Sequence, residues 1–155
     1  MKMTRRLAML VLFLGVVAVV MGGVFIGLGV ARHGELKEAM QVEQITLGIE
    51  GIEFEDEIID SSAEAQKAGD IIREHRRGIA STYSELLGEG GFDPTEPEQL
   101  TYAQALNLEN YLYLAVVAFG LTQSVMASGA FMVITGVALG GTGLMLYQMS
   151  GRVSY

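Results

Sequence analysis

The sequence predicts a mainly α-helical membrane protein, in which two transmembrane helices flank a small extracytoplasmic α+β domain. Three observations support this fold class: two long apolar stretches, acidic residues confined to the segment between them, and a strand-like alternation within that segment. All 18 Asp and Glu residues lie between Glu35 and Glu109. The flanks, residues 1–31 and 110–155, contain no acidic residue and four of the ten basic ones. This segregation excludes an evenly charged globular protein.

The first apolar stretch is a predicted membrane span. Leu7 to Val30 contains 24 residues without a charge, and a helix of that length reaches roughly 36 Å, enough for a hydrocarbon core of ~30 Å. The preceding residues 1–6, with Lys2, Arg5 and Arg6, resemble the basic region of a signal peptide. The stretch exceeds the usual apolar region of such a peptide, and no Ala-x-Ala cleavage site follows it. We therefore expect an uncleaved signal anchor.

The second apolar stretch is longer. Asn110 to Gly151 is uncharged throughout, and residues 111–147 are predicted as one transmembrane helix because no turn signal divides them. Residues 148–155 then form a cytoplasmic C-terminus that contains Arg152. Basic residues at both outer ends of the spans predict that both termini are cytoplasmic. Residues 31–110 would accordingly form an acidic extracytoplasmic domain of a plasma-membrane protein.

The middle segment begins with a pattern typical of strands. Between Gln41 and Asp60 apolar residues alternate with polar ones, which is the period of a half-buried strand. Gly48 and Gly51 bracket a plausible turn. The prediction is a short β-hairpin packed on the helices that follow.

Two helices are expected after the hairpin. Ser61 and Glu64 form a capping box, in which each side chain satisfies an N–H group of the first turn, and Gly78 is a natural end point. Five residues share one face of this helix at helical spacing: Ala65, Ala68, Ile71, Ile72 and His75. Thr82 to Leu87 is predicted as a further short helix or turn.

The last helix is expected to enter the membrane without a break. Thr95 and Glu98 match a second capping box around Pro97, a residue favoured in a first helical turn. No helix-breaking residue follows before the apolar stretch. A continuous helix would join the outer domain rigidly to the second span.

Small residues in the spans form the candidate helix-packing interface. They recur at four-residue spacing, which places them on one helix face and allows a second backbone to approach closely. The predicted interface residues are Gly15, Gly23, Gly27, Gly120, Ser124, Ser128, Gly136 and Gly140. Packing of the two spans on each other is favoured. Homo-oligomerisation and docking to a larger membrane complex remain open.

Other candidate sites have simpler structural interpretations. Asp70, Glu74 and His75 could form a metal or acid–base site, but His75 lies about 100° round the helix from Glu74, so a surface histidine is favoured. His33 is expected to be a polar anchor at the membrane boundary. The acidic run from Glu53 to Glu57 could bind a divalent cation, but it lacks the spacing of a calcium loop. A solvated edge strand is favoured there.

Composition excludes several function classes. The absence of Cys excludes disulfides, thiolate catalysis and zinc ribbons, and the acidic soluble part excludes nucleic-acid binding. No phosphate loop, nucleophile elbow, zinc-protease or haem-attachment motif occurs, so we predict no catalytic residue, cofactor or metal. Charge-free spans argue against a proton relay. Gln123 is expected to form an interhelical hydrogen bond, or to line a pore only in an oligomer.

Three short stretches carry a resemblance to a known family. They are Ile71-Ile-Arg-Glu-His75, Thr82-Tyr-Ser-Glu-Leu86, and Val116-Val-Ala-Phe-Gly120 with Met126 and Gly129 beyond. Over roughly residues 60–147 the chain resembles small two-span bacterial membrane proteins, widespread in actinobacteria, that are often labelled "aromatic ring-opening dioxygenase". This sequence does not support that label, since it has two His and no plausible iron site. The resemblance implies topology rather than activity.

The sequence thus favours a non-enzymatic membrane scaffold, accessory or assembly subunit with an acidic outer domain. Its expected partners are the lipid bilayer and either further copies of itself or a larger membrane complex. The alternative is a homo-oligomeric pore or transport component.

Overall fold

The described chain consists of four helices. The structure is a computed structural model that describes residues 2–46 and 58–152. The helices are α1 (Lys2–Glu43), α2 (Ser62–Ile79), α3 (Tyr83–Leu87) and α4 (Pro97–Arg152). With 42 and 56 residues, α1 and α4 are about 63 and 84 Å long.

The predicted α+β domain is wrong, because the described residues contain no strand. Helix α1 continues through Glu43, beyond the point at which the hairpin was expected to begin. The sole trace of extended pairing in the described part is a backbone hydrogen bond of 3.0 Å from Ile59 N–H to the Ile45 carbonyl. The centre of the predicted hairpin, including Gly48, Gly51 and the acidic run, lies outside the described residues.

The predicted cap at Ser61 is confirmed. The Ser61 hydroxyl accepts a hydrogen bond from the Glu64 N–H, an N–H group that the first turn of a helix leaves unpaired. The Glu64 carboxylate accepts a hydrogen bond from the N–H of Asp60, the residue before the cap. Thr82 and Glu85 form the same arrangement at α3, where no cap was predicted.

The second predicted cap, at the start of α4, differs from its prediction. Helix α4 begins at Pro97 itself, in the first helical position where its fixed φ angle and missing N–H cost nothing. The Thr95 hydroxyl does not cap the helix but donates to the Asp93 carboxylate at 2.7 Å. Gln99, rather than Glu98, reaches back and accepts from the Asp93 N–H. The predicted continuity is confirmed, since α4 runs unbroken to Arg152.

Contacts divide the chain into two compact units. The two-helix unit comprises Met1–His33 and Leu121–Tyr155, and the charged unit comprises Gly34–Gly120. Helices α1 and α4 each contribute to both. The charged unit therefore extends ten residues further along α4 than the expected domain boundary at residue 110.

The two-helix unit has the composition of membrane spans. Both α1 and α4 are long and apolar enough to cross a membrane, with mean hydropathies of 2.8 and 1.7 in their most apolar windows. Only 11% and 17% of those windows is buried. Side chains such as Phe13 (66% exposed) and Phe131 (70% exposed) point away from the partner helix. The core helix of a water-soluble protein would bury such residues.

The charged unit has a small apolar core between α2 and α4. Its buried members are Ile59, Ala65, Ala68 and Leu112. The predicted apolar face of α2 is correct at its first two positions, but His75 is exposed and Arg76 is buried in its place. Helix α2 also passes Gly78 and ends at Ile79, with Ala80 as its cap.

Candidate functional site: the glycine ladder between the apolar helices

Helices α1 and α4 pack antiparallel within the two-helix unit. The backbone of Gly15 lies against Gly136, and that of Gly22 lies against Gly129. The residue number on α4 thus falls by seven when the residue number on α1 rises by seven. The two helices therefore run in opposite directions.

Small residues repeat every seven positions along this contact on both helices. We call the set the glycine ladder; its members are Ala8, Gly15, Gly22 and Gly29 on α1, and Thr122, Gly129, Gly136 and Gly143 on α4. All are buried except Thr122, which is half-buried. A seven-residue repeat keeps one stripe of a helix in contact with its partner when the two helices coil left-handedly around each other.

The ladder brings the two backbones together more closely than any side chain would allow. A Cβ atom added to Gly22 would lie 2.6 Å from the Gly129 carbonyl oxygen, and one added to Gly129 would lie 2.6 Å from the Gly22 oxygen. Gly136 has the same relationship to the Gly15 oxygen, also at 2.6 Å. Without a driving force from water, helices in lipid associate through such close van der Waals packing.

Larger side chains lie on either side of the contacts between paired ladder glycines. Four residues after Gly15 and Gly22 on α1, Val19 lies against Gly136 and Ile26 lies against Gly129. On α4, Val133 lies against Gly22 in the same way. The branched side chains thus fill the space on either side of the backbone contacts.

Polar contacts occur at both ends of the ladder. At one end His33 Nδ1 and Thr122 Oγ1 are 3.0 Å apart. At the other end the Arg5 guanidinium donates a hydrogen bond to the Tyr147 hydroxyl and lies 4.9 Å from the centre of its ring. His33 therefore lies at the end of the apolar span, as expected of a polar anchor.

The ladder includes only part of the predicted interface. Gly15 and Gly136 belong to it, and the Gly140 backbone lies against Gly15. By contrast, Cβ atoms added to Gly23 or Gly27 would meet nothing within 4 Å. These two residues therefore lie outside the close backbone contact between α1 and α4, and their role in helix packing stays a prediction.

The three predicted members near the start of the α4 span also lie outside the ladder. A Cβ atom on Gly120 meets nothing within 4 Å. Ser124 and Ser128 are exposed, and the Ser128 hydroxyl donates to the Ser124 carbonyl of its own helix at 2.8 Å. Gln123 is exposed as well, and Thr122 beside it forms the interhelical contact expected of Gln123.

Four ladder glycines lie outside the predicted interface, because a spacing of four does not include them. They are Gly22, Gly29, Gly129 and Gly143. The signal that identifies them is the spacing of seven, which occurs on both helices and continues through Ala8 and Thr122.

The charged unit contains a buried ion pair between α2 and α4. Arg76 Nε donates to Glu109 Oε2 at 2.7 Å, and the Arg76 guanidinium also donates to the hydroxyl of Tyr102. All three residues are buried. The hydrogen bond to Glu109 raises the pKa of Arg76 above its ordinary value. Because every partner is satisfied, this cluster holds two helices together without leaving a buried charge unpaired.

A second polar cluster joins the same helices closer to the start of α2. Asp70 accepts hydrogen bonds from the Tyr113 hydroxyl at 2.7 Å and from Arg73 at 2.6 Å. The bond from Tyr113 lowers the pKa of Asp70. Gly69 leaves room for the Tyr113 ring, since a Cβ atom there would lie 3.0 Å from it. Asp70 thus has a packing role, and its neighbour His75 is on the surface as expected.

A third polar contact attaches the segment before α2 to α1. The Asp60 carboxylate accepts a hydrogen bond from Gln41 at 2.5 Å and lies 3.2 Å from Lys37 Nζ. The hydrogen bond from Gln41 is the main reason that the pKa of Asp60 is lowered. Across residues 2–46 and 58–152, no three His, Cys, Asp or Glu side chains are grouped closely enough to hold a metal ion.

Comparison with known proteins gives no relative. No protein-family model, no curated protein and no solved structure matches the chain. The resemblance to the small two-span bacterial proteins therefore remains a prediction from short stretches of sequence.

Proposed function

We propose that this protein is a non-enzymatic membrane scaffold or accessory subunit, built on two antiparallel membrane-spanning helices. The observation that carries the proposal is the glycine ladder. It gives a firm contact between α1 and α4 and leaves their opposite faces covered with exposed apolar side chains such as Leu10, Val20 and Ile134. Helices of this composition bury those faces in lipid.

A scaffold role is supported by the polar side chains between α2 and α4, because they bond to one another. In the charged unit the buried polar groups of Arg76, Glu109 and Tyr102 bond to one another. The half-buried Asp70 is likewise engaged by Tyr113 and Arg73. These contacts favour a rigid surface for a partner over a reaction centre.

The proposed topology places both termini in the cytoplasm and the charged unit outside the plasma membrane. Its support is the position of Lys2, Arg5, Arg6 and Arg152 at the outer ends of the apolar segments. Because the charged unit extends to Gly120, the second span is proposed to begin near Leu121 rather than Tyr111.

Cysteine labelling tests this topology directly, because the chain has no native Cys. Ser84→Cys, in exposed α3, should react with a membrane-impermeant maleimide in intact cells. Thr4→Cys, near the start of α1, should react only after permeabilisation. The reverse pattern would contradict the orientation, and release of the protein by alkaline carbonate would contradict membrane insertion.

A second candidate function is self-association through α4, as a homo-oligomeric pore or transport component would require. It is favoured by Gln123 and Ser128, which are exposed in the apolar part of α4, where polar groups usually face another protein chain or water. Disulfide crosslinking of Gln123→Cys should give a covalent dimer if this face is shared. Leu139→Cys, exposed on α4 about 160° round the helix from Gln123, is the control and should remain monomeric.

A further inference from the structure

A groove runs between α1 and α4 at one end of the glycine ladder. It has a volume of about 380 Å³ and is lined by Leu28, Gly29, Arg32, Leu121, Thr122 and Val125. This volume lies within the range of roughly 300–1,000 Å³ that small-molecule sites occupy. All six residues belong to the two-helix unit.

The groove has one polar end and one apolar end. The ladder places Gly29 level with Thr122, so in the antiparallel arrangement Arg32 lies about 4.5 Å to one side of this level and Val125 about 4.5 Å to the other side. Leu28 lies between them, close to the level of Gly29. Arg32 therefore marks one end, and Leu28 and Val125 form the walls about 6 and 9 Å further along the helix axis.

The floor of the groove is a close contact between the two helices. A Cβ atom on Gly29 would clash with the Met126 side chain and lie 3.1 Å from the Thr122 carbonyl oxygen, so no side chain fits there. Gly29 and Thr122 line the groove beside this contact. Its walls open outward, since Leu28 is 53% and Leu121 66% exposed.

The position of Arg32 in the sequence gives the depth of the polar end. It is the first charged residue after the uncharged stretch Leu7 to Val30, so in a membrane it lies at the level of the lipid headgroups. A guanidinium there can bind phosphate oxygens in a bidentate manner, while the remainder of the groove lies in the hydrocarbon layer.

We propose that this groove binds one anionic phospholipid, with its phosphate at Arg32 and an acyl chain between Leu28 and Val125. The inference rests on the proposed membrane insertion of α1 and α4. It goes further by naming a specific ligand chemistry: one negative charge matched to one arginine, and an apolar tail matched to an apolar cleft.

The test is native mass spectrometry of the full chain in neutral detergent, titrated with dioleoyl phosphatidylglycerol or dioleoyl phosphatidylcholine. The wild type should bind the anionic lipid about fivefold more tightly than the zwitterionic one, the effect of one basic residue near a lipid surface. Arg32→Gln should abolish this preference. Arg6→Gln, which removes a charge at the other end of α1, should retain it.

A second pair of variants tests the apolar part of the groove. Val125→Trp fills the groove and should remove the one-lipid adduct for both lipids. Val137→Trp, on the exposed face of α4 and outside the groove, should leave it unchanged. The proposal is overturned if the wild type binds the two lipids with equal affinity. It is also overturned if Arg32→Gln still binds the anionic lipid more tightly.

Alkaline carbonate extraction of the same variants separates the two hypotheses. If the protein stays in the membrane but shows no lipid preference, only the lipid site fails. If carbonate releases the wild type, membrane insertion fails and the lipid site fails with it.

Discussion

Gly22 and Gly129 face each other so closely that the carbonyl oxygen of each lies 2.6 Å from the place where the other would carry a Cβ atom. The relationship is reciprocal, and the Gly15 and Gly136 pair adopts the same packing one heptad away. A contact of this kind accepts no side chain on either helix. Its consequences can be measured because neighbouring glycines of α1 lie outside the contact.

Gly22→Ala should destabilise the helix pair by about 1–3 kcal/mol, because the methyl group must push two backbones apart. Gly23→Ala is the matched control, since its Cβ meets nothing within 4 Å. It should be neutral or stabilising by up to about 1 kcal/mol, since Ala favours the helix over Gly. Thermal denaturation in detergent gives both values. Equal effects at the two positions would show that the ladder does not hold the helices together.

The larger substitution Gly136→Leu should separate α1 from α4, whereas Gly23→Leu should leave their contact intact. The two were expected to be equivalent from the four-residue spacing, and the structure distinguishes them. Limited proteolysis together with blue-native electrophoresis provides the comparison. A change of assembly size in Gly23→Leu alone would instead indicate that Gly23 faces a second protein chain.

Loss of the hydrogen bond between His33 and Thr122 should have a modest cost. Thr122→Val keeps the side-chain shape and should lower stability by about 0.6 kcal/mol, the average for interhelical hydrogen bonds in membrane proteins. Thr142→Val is the control, because the Thr142 hydroxyl donates to Ala138 of its own helix. Unfolding in a denaturing detergent titration should resolve the pair, and identical curves for both variants would count against an interhelical role of Thr122.

Replacing one partner of the buried ion pair in the charged unit should lower the free energy of unfolding far more than replacing both partners. Glu109→Leu leaves the Arg76 guanidinium buried without its carboxylate and should cost about 3–5 kcal/mol. The double variant Arg76→Leu/Glu109→Leu should recover much of that loss, because no unpaired charge remains. Arg77→Leu, at an exposed neighbouring position, should be nearly neutral. A double variant as unstable as the sum of the single ones would contradict this coupling.

Acidification should release the segment before α2 from α1. The pKa of Asp60 is lowered in the folded state by Gln41 and then by Lys37, so the charged carboxylate is the form that stabilises. Its contribution is complete above the usual carboxyl pKa of about 3.9 and is lost as pH falls below that value. Hydrogen exchange of residues 58–61 should therefore accelerate as the pH falls from about 4 to about 2 in the wild type. In Asp60→Asn that acceleration should be absent after correction for intrinsic exchange.

The sequence predicted local features of this structure better than long-range ones. The cap at Ser61 was predicted from the sequence because a cap is formed by residues three apart in one chain; Thr82 and Glu85 have the same spacing, although no cap was predicted there. The β-hairpin prediction failed at its start because α1 extends through Glu43. Met40 within α1 and Ile45 just after its end both pack against the core of the charged unit, and this long-range contact could not be read from the local alternation.

The sequence by itself determined that the chain has two apolar stretches long enough to cross a membrane, and that all of its acidic residues lie between those stretches. Only the tertiary structure decided which face of each helix meets the other. In a water-soluble helix the apolar side reveals the buried face, but a helix that is apolar all round carries no such signal. Side-chain size is then the remaining guide, and Gly22 and Gly23 are equal in size. A seven-residue spacing through Gly15, Gly22 and Gly29 is the one sequence signal that separates them, and the contact with Gly129 shows that this spacing is the one the helices use.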